Sequence, residues 1–476
     1  MSVVMYYLVI MASWWFLFGT GPADVTLTTP EAATGWQAWM AAQGTDRTPP
    51  AGSLPLPDGP LLFVAQTALF WMIRSGDGMA RLMPALCGSA LILVPWLFRK
   101  QLGPIGALAA STLIALDPRF VALSRSATGE SAALLLSLLS AACLLRAPRY
   151  FPVMCGLLLT TGSYAWSFLP LLAMLAWLNR ARFSRSKLVP LLAGCGVTLL
   201  VVSTGFFTQS EGPGLLSAGL TRWIHQWSAP QSLGAVLIQL LRSSPLLVTS
   251  ACFGMVIRAT KKQGVRRVSR WFFPIWLVWG MVLAWGRGPG DLIWLELPLL
   301  YASASAWEAA WCTLNRGTRL WKRALIGSAV LILLGMTIRH HALLQPDPAA
   351  TELQTLVGDI ETLSAHRRGD PHEMDLAIQA GAAPDPLLGW YLREMRRLRW
   401  NRAPKSAGSA TLLITSAADD ALSQELAVDH IGSRYRIRPS GPADRRSSRV
   451  RLPGGFQPRY ADRVILWVKI VSSDVK

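Results

Sequence analysis

The chain has 476 residues, 52% of them hydrophobic and 15% charged. Soluble domains carry about 25% charged residues, so this composition argues against a soluble globular protein and for a membrane protein. A formal charge of +19 would suit a nucleic-acid binder, but the basic residues sit in short clusters between apolar runs, as the positive-inside bias of polytopic proteins requires, and nucleic-acid binding is set aside.

The amino terminus, MSVVMYYLVIMASWWFLFGTG, lacks a basic leader and carries bulky tryptophans near its end, so it reads as an uncleaved first span. Further apolar runs are placed near 79–98, 104–116, 128–146, 151–164, 166–178, 188–206, 243–258, 271–286, 291–311 and 324–338. With the first run at 3–20 they predict about eleven spans. Cys87, Cys143, Cys155, Cys195, Cys252 and Cys312 all lie in apolar runs without CxxC or Cys/His spacing, which supports neither a disulfide framework nor a zinc site.

The basic clusters set the orientation. Arg99/Lys100, Arg146/Arg149, Arg180–Lys187, Arg258–Arg267 and Arg316–Arg323 fall on one side under this count, which the positive-inside rule makes cytoplasmic. The amino terminus is then inside. The loop 21–78, with Asp24, Glu31, Asp46 and Asp58, faces out, as do the loops near Asp117–Glu130, Phe207–Arg242 and Arg287–Asp291.

From Arg339 onward the composition turns polar. TELQTLVGDIETLSAH has a helical period, MDLAIQA alternates like a strand, and GWYLREMRRLRW returns to helix. ATLLITS reads as a buried strand, DDALSQELAVDHI as a helix and RVILWVKIV as a final strand. The expected organisation is a transmembrane domain over 1–338 and a small extracytoplasmic α/β domain over 339–476. Arg393, Arg396, Arg397, Arg399 and Arg402 suggest a basic face on it, solvated or against lipid headgroups.

Chemistry on a lipid-linked substrate needs a carboxylate that reaches an acceptor proton, a cation for a departing phosphate, and a groove open to lipid. Glu31 opens a helix behind Pro30, as a first-turn acid or a base. Asp58 precedes Gly59-Pro60, as a turn residue or a base. Asp117, Arg119, Arg125 and Glu130 gather at the outer mouth of two spans, where charge is costly unless solvated or functional. Arg222 and His225 in TRWIHQW belong to an interfacial helix, as anchors or headgroup contacts. Arg287 and Asp291 stand outside, and Glu296 one turn deeper is a functional acid or the partner of a nearby arginine.

The order of these features resembles the GT-C superfamily of polytopic glycosyltransferases, which includes protein O-mannosyltransferases (dolichyl-phosphate-mannose dependent) and aminoarabinose transferases. More narrowly it resembles the flippase activity-associated branch. The stretches that carry the likeness are DGPLLFVAQTALFWMI, ARLMPALCGSALILVPWLFRKQLG, LIALDPRFVALSRSATGES and DPLLGWYLRE. Such families open the first external loop with an Asp-Glu pair; here Glu31 matches the second member and Pro30 occupies the aspartate position. Asp58 stands where a histidine of a His-Gly-Pro step is expected. Glu130 matches a second acid after an SR-x-A pattern that contains Arg125, and Trp390–Arg393 matches the extracytoplasmic domain.

The resemblance implies a GT-C-like helical membrane fold that transfers a sugar from a polyprenyl-phosphate-linked donor to a glycan, lipid or protein acceptor outside the cytoplasmic membrane. Glu31, Asp58 and Glu130 would be the catalytic acids. Arg125, Arg119, Arg222, His225 and Arg287 would hold the substrate phosphate. No metal is demanded, although the carboxylates would permit a divalent cation. The alternatives are a catalytically degenerate GT-C scaffold and a lipid-linked sugar flippase or transporter.

Overall fold

Proline, glycine and small polar residues punctuate the apolar sequence, and the helices of the computed structural model follow that punctuation. The structure describes residues 26–45, 57, 59–179, 188–205, 212–228, 232–260, 267–314, 348–379, 385–401, 410–417, 420–437 and 463–470. Asp58, Asp24 and Asp46, and the predicted spans 3–20 and 324–338, lie outside them. The chain divides into two compact units. One comprises Met1–Pro22, Asp58–Ala65 and Arg81–Leu344; the other comprises Ala23–Pro57, Gln66–Ala80 and Gln345–Lys476.

The first unit is helical. Its core joins Leu113, Phe120, Leu134, Leu158, Phe168, Leu283 and Trp294, all buried. Helix Leu292–Leu314 packs against Pro245–Thr260, Arg267–Arg287 and Pro104–Leu116. Its small residues permit close approach: the Ser250 and Ser303 hydroxyls meet at 2.6 Å. Farther along, Glu308 caps a neighbour, its Oε2 accepting the Ile105 and Gly106 N–H groups at 2.9 Å each. These are donors that the first turn of a helix leaves without a partner inside the helix.

The partition into spans differs from the sequence expectation of about eleven. Among the described residues one helix, Asp77–Leu97, is long and apolar enough to cross a membrane, or up to three if each bent pair is one span. The pairs are Pro104–Leu116 with Arg119–Arg125, bent by 60°, and Leu233–Ser243 with Leu247–Val256, bent by 105°. Pro118 and Pro245 start the helices Pro118–Arg125 and Pro245–Thr260 at these bends, and proline cannot extend a preceding helix without losing its hydrogen bond. Other apolar helices, Pro60–Met72, Ser163–Leu178, Val189–Ser203 and Phe272–Arg287, have 10–17 residues.

The second unit contains a five-stranded mixed sheet. Its strands are β1 (Asp375–Gln379), β2 (Arg397–Asn401), β3 (Leu412–Ser416), β4 (His430–Arg436) and β5 (Arg463–Lys469), in the order β2-β1-β3-β5-β4. β1 runs parallel to β2 and β3, whereas β5 is antiparallel to β3 and β4. The buried runs Leu376–Ile378 and Leu412–Thr415 explain the central places of β1 and β3, since strands covered on both faces read as continuous apolar segments. Helix Pro348–Arg368 fits the expectation over TELQTLVGDIETLSAH, and Tyr435 on β4 donates to its Asp359 at 2.6 Å.

Two predicted helices end early. GWYLREMRRLRW is helical only to Tyr391, and Arg397–Asn401 pairs with β1; DDALSQELAVDHI is helical over Asp420–Leu426 before β4 begins. Of the expected basic face, Arg396, Arg397 and Arg399 are exposed, Arg402 lies outside the described residues, and Arg393 departs from it. Arg393 is buried, with its guanidinium 4.0 Å from the Trp390 ring and Nε donating to the Ser75 hydroxyl at 3.2 Å. Arg396 pairs with Asp370 and Glu373, and Arg399 with Asp375. The WYLR motif is an anchor: Trp390 Nε1 and the Tyr391 hydroxyl each donate to Asp77 at 2.7 Å.

Candidate active site

Arg287 ends the helix Arg267–Arg287, and Gly288, at φ +101°, turns the chain into the short 3₁₀ segment Pro289–Asp291. The turn brings Asp291 back along the helix end, so that Arg287 Nη1 meets Asp291 Oδ1 at 3.0 Å with the arginine side chain fully buried. The same Nη1 donates to the Ser167 hydroxyl, and Nη2 donates to the Gln226 amide oxygen. The guanidinium lies 5.5 Å from the Trp223 ring, whose indole N–H donates to Ser167 at 3.0 Å. Arg287 Nε is buried without a hydrogen-bond partner. A guanidinium has five donors in a fixed fork, so this one keeps a donor for an incoming acceptor.

Tyr164 lies within electrostatic range of Glu130, Asp291 and Arg287. Glu130 opens the helix Glu130–Arg146, where its charge complements the positive helix end. One acid, one tyrosine and one arginine–aspartate pair therefore share a neighbourhood inside the first unit. Such a set can accept a proton and stabilise an anion.

A second polar cluster lies at the two helix breaks. Asp117 caps the helix Pro118–Arg125, its Oδ1 accepting the Arg119 N–H at 2.9 Å, and its Oδ2 accepts the Ser244 hydroxyl at 2.5 Å. Ser244 Oγ is also 3.3 Å from Glu296 Oε1, and Arg119 Nη1 is 3.1 Å from that oxygen. Glu296 thus has the arginine partner that the sequence allowed.

The structure divides the Asp117–Glu130 cluster foreseen from sequence. Asp117 and Arg119 turn to Glu296, Glu130 joins Tyr164, and Arg125 lies within electrostatic range of the buried Arg81. Arg222 and His225 occupy the last turn of helix Gly212–His225, the former half-buried and the latter exposed. Glu31, in the second unit, is buried, and its Oε2 accepts the Thr28 N–H at 2.7 Å and the Thr28 hydroxyl at 2.9 Å, which ties it to the start of its own helix.

Sequence reasoning did not single out Tyr164, Ser167 or Gln226. A lone tyrosine, serine or glutamine in an apolar context carries no spacing signal. Arg287 and Asp291 were singled out as charged residues of an outward loop. Among the described residues no group of three or more His, Cys, Asp or Glu is arranged to hold a metal ion.

No family model and no curated protein matches the chain. Solved structures do. ArnT from Cupriavidus metallidurans, crystallised with undecaprenyl phosphate, superposes with a TM-score of 0.61 at 16% identity, covering 99% of this chain and 98% of that one. The Archaeoglobus fulgidus oligosaccharyltransferase, in complex with Zn and sulfate, superposes with a TM-score of 0.52 at 12% identity, covering 89% of this chain and 69% of that one. The same oligosaccharyltransferase tethered to an acceptor peptide with the NVT sequon gives 0.51 at 13% identity, over 91% and 69%. These likenesses, spread over nearly the whole chain, show that it has the fold of the GT-C superfamily.

Proposed function

We propose that the chain is a glycosyltransferase that moves a sugar from a polyprenyl-phosphate-linked donor to an acceptor on the outer face of the cytoplasmic membrane. The observation that carries this reading is Arg287, a fully buried guanidinium held by Asp291, Ser167 and Gln226 with Nε unpartnered. The fold it shares with an ArnT solved with undecaprenyl phosphate supports the choice of anion.

In the proposed reaction the acceptor hydroxyl loses its proton to a carboxylate as its oxygen bonds to the sugar carbon, and the bond to the donor phosphate breaks. Glu130 is assigned as that base, with Glu31 and Asp58 as further acids of the external loop. Arg287 takes the charge that grows on the departing phosphate, the moment at which a preorganised cation contributes most. Arg125, Arg119, Arg222 and His225 are proposed as outer contacts of the donor. The orientation is proposed with the amino terminus cytoplasmic, residues 1–338 in the membrane and residues 339–476 extracytoplasmic.

The test uses the full chain in lipid nanodiscs with an extract of undecaprenyl-phosphate-linked sugars and envelope acceptors. Release of undecaprenyl phosphate is expected, cut sharply by Glu130→Gln. No release, or release unchanged by that variant, rejects the reading.

One observation favours a second reading, a degenerate GT-C scaffold in envelope glycan assembly. Glu31 Oε2 is committed to Thr28 and its neighbour is Pro30, so the first acidic motif also serves as a helix start. Capping by Glu31 predicts that Glu31→Gln lowers stability; a base there predicts lost transfer at unchanged stability.

A further inference from the structure

The two sharp helix breaks of the first unit meet at a pair of buried acids. Asp117 stands at the 60° bend and Ser244 at the 105° bend. Glu296, on the helix Leu292–Leu314, reaches the same point. Ser244 Oγ lies 2.5 Å from Asp117 Oδ2 and 3.3 Å from Glu296 Oε1, so one hydroxyl stands between two carboxyl groups. A hydroxyl carries one proton and can donate to only one of them. The other contact joins two acceptors, and it is favourable only if that carboxyl group brings a proton of its own.

Charge points the same way. Asp117 is 3% exposed and Glu296 0%. Among the described residues Arg119 is the only cation within electrostatic range of either acid, with Nη1 3.1 Å from Glu296 Oε1. Arg242, two residues before Ser244, is exposed. Two ionised acids and one guanidinium would leave a net negative charge buried without compensation, which is costly. An ionised carboxylate also has about four acceptor positions to fill, yet Glu296 Oε2 is buried without a hydrogen-bond partner. A metal ion could supply the missing charge only beside the like charge of Arg119. A proton needs neither room nor further ligands.

We infer that Asp117 and Glu296 form a binding site for a single proton, shared through the Ser244 hydroxyl. In one arrangement Glu296 donates to Ser244 Oγ and Ser244 donates to Asp117. In the other Asp117 donates to Ser244, Ser244 donates to Glu296, and Glu296 keeps its ion pair with Arg119. Either way the pair carries one proton and the site is neutral. The bound proton thereby ties both helix breaks to the helix Leu292–Leu314. The site shares no residue with the partners of Arg287 and does not rest on the glycosyltransferase reading.

The test is infrared spectroscopy of the full chain at pH 7 in dodecyl maltoside micelles, which carry no ester carbonyl to mask a protonated carboxyl group. Wild type minus Asp117→Asn, and wild type minus Glu296→Gln, should each show the carbonyl band of one protonated carboxyl group per chain, shifted down in D2O. Each variant leaves a single carboxylate against Arg119, neutral without an added proton. No such band, or a band in only one of the two differences, overturns the shared site. A band that sodium or potassium chloride removes at constant pH overturns the proton in favour of a metal cation. Ser244→Ala keeps both acids and covers the case in which either variant fails to fold. Its band should persist at a changed frequency, because the hydrogen-bond partner is gone; a band unchanged or lost overturns the bridge.

Discussion

At the scale of single residues, Arg287 differs from several other described arginines in the partners that hold it. Arg287 has Asp291 as counter-ion, Ser167 and Gln226 as acceptors, and an unpartnered Nε. Arg119, Arg393 and Arg399 instead go to Glu296, to Ser75 with Trp390, and to Asp375. Arg287→Lys should keep the charge yet lose the fork, lowering undecaprenyl phosphate affinity about tenfold in a binding titration, because a point charge does not reproduce planar recognition. Tyr435 makes a separate prediction. Burial first, and then the hydrogen bond to Asp359, push its hydroxyl up to about 12. Its unfolded value is about 10, so the stability it contributes is fully present below that pH and lost as pH rises through about 12. Tyr435→Phe should therefore lower Tm at pH 8 and reduce the additional loss seen on raising the pH to 12. The residues at these places were legible unevenly. RGPGD shows two charges close in sequence, whereas Ser167 and Gln226 acquire meaning only from helices distant in sequence.

At the scale of elements, breaks matter as much as helices. Asp117 and Ser244 stand at the two sharp bends, and their 2.5 Å hydrogen bond fastens one break to the other. Ser244→Ala should leave Asp117 and Glu296 without the bridging hydroxyl and cost about 1–3 kcal/mol, read as a lower midpoint in denaturant unfolding. The Glu308 clamp predicts a graded series: Glu308→Gln keeps an acceptor for Ile105 and Gly106, while Glu308→Ala strands both donors and should lower Tm more. Hydropathy located the apolar runs, with Pro118 just beyond one and Pro245 inside another, but the bend angles follow from packing that no local pattern contains. The same limit explains Arg397–Asn401. LREMRRLRW has helical spacing, yet pairing with β1 overrides it, since strand preference depends on the neighbour that a segment meets.

At the scale of the molecule, the motif order resembles GT-C, and the superposition on ArnT over 99% of this chain shows the same fold beneath those motifs. Composition alone could say only that the chain belongs in a membrane. Three of the second unit's strands were legible, MDLAIQA by its alternation, ATLLITS as a buried apolar run and RVILWVKIV as a final strand, while the sheet order depends on crossovers that a sequence does not display. The central claim is that this scaffold holds a polyprenyl phosphate at Arg287. The most direct measurement is a titration of the full chain in nanodiscs with undecaprenyl phosphate, wild type against Arg287→Ala. Saturable binding is expected, weakened about ten- to a hundredfold by the substitution, the cost of removing a charge-assisted contact of about 1.5–3 kcal/mol. Equal affinity in the two proteins, or no saturable binding by the wild type, would contradict it.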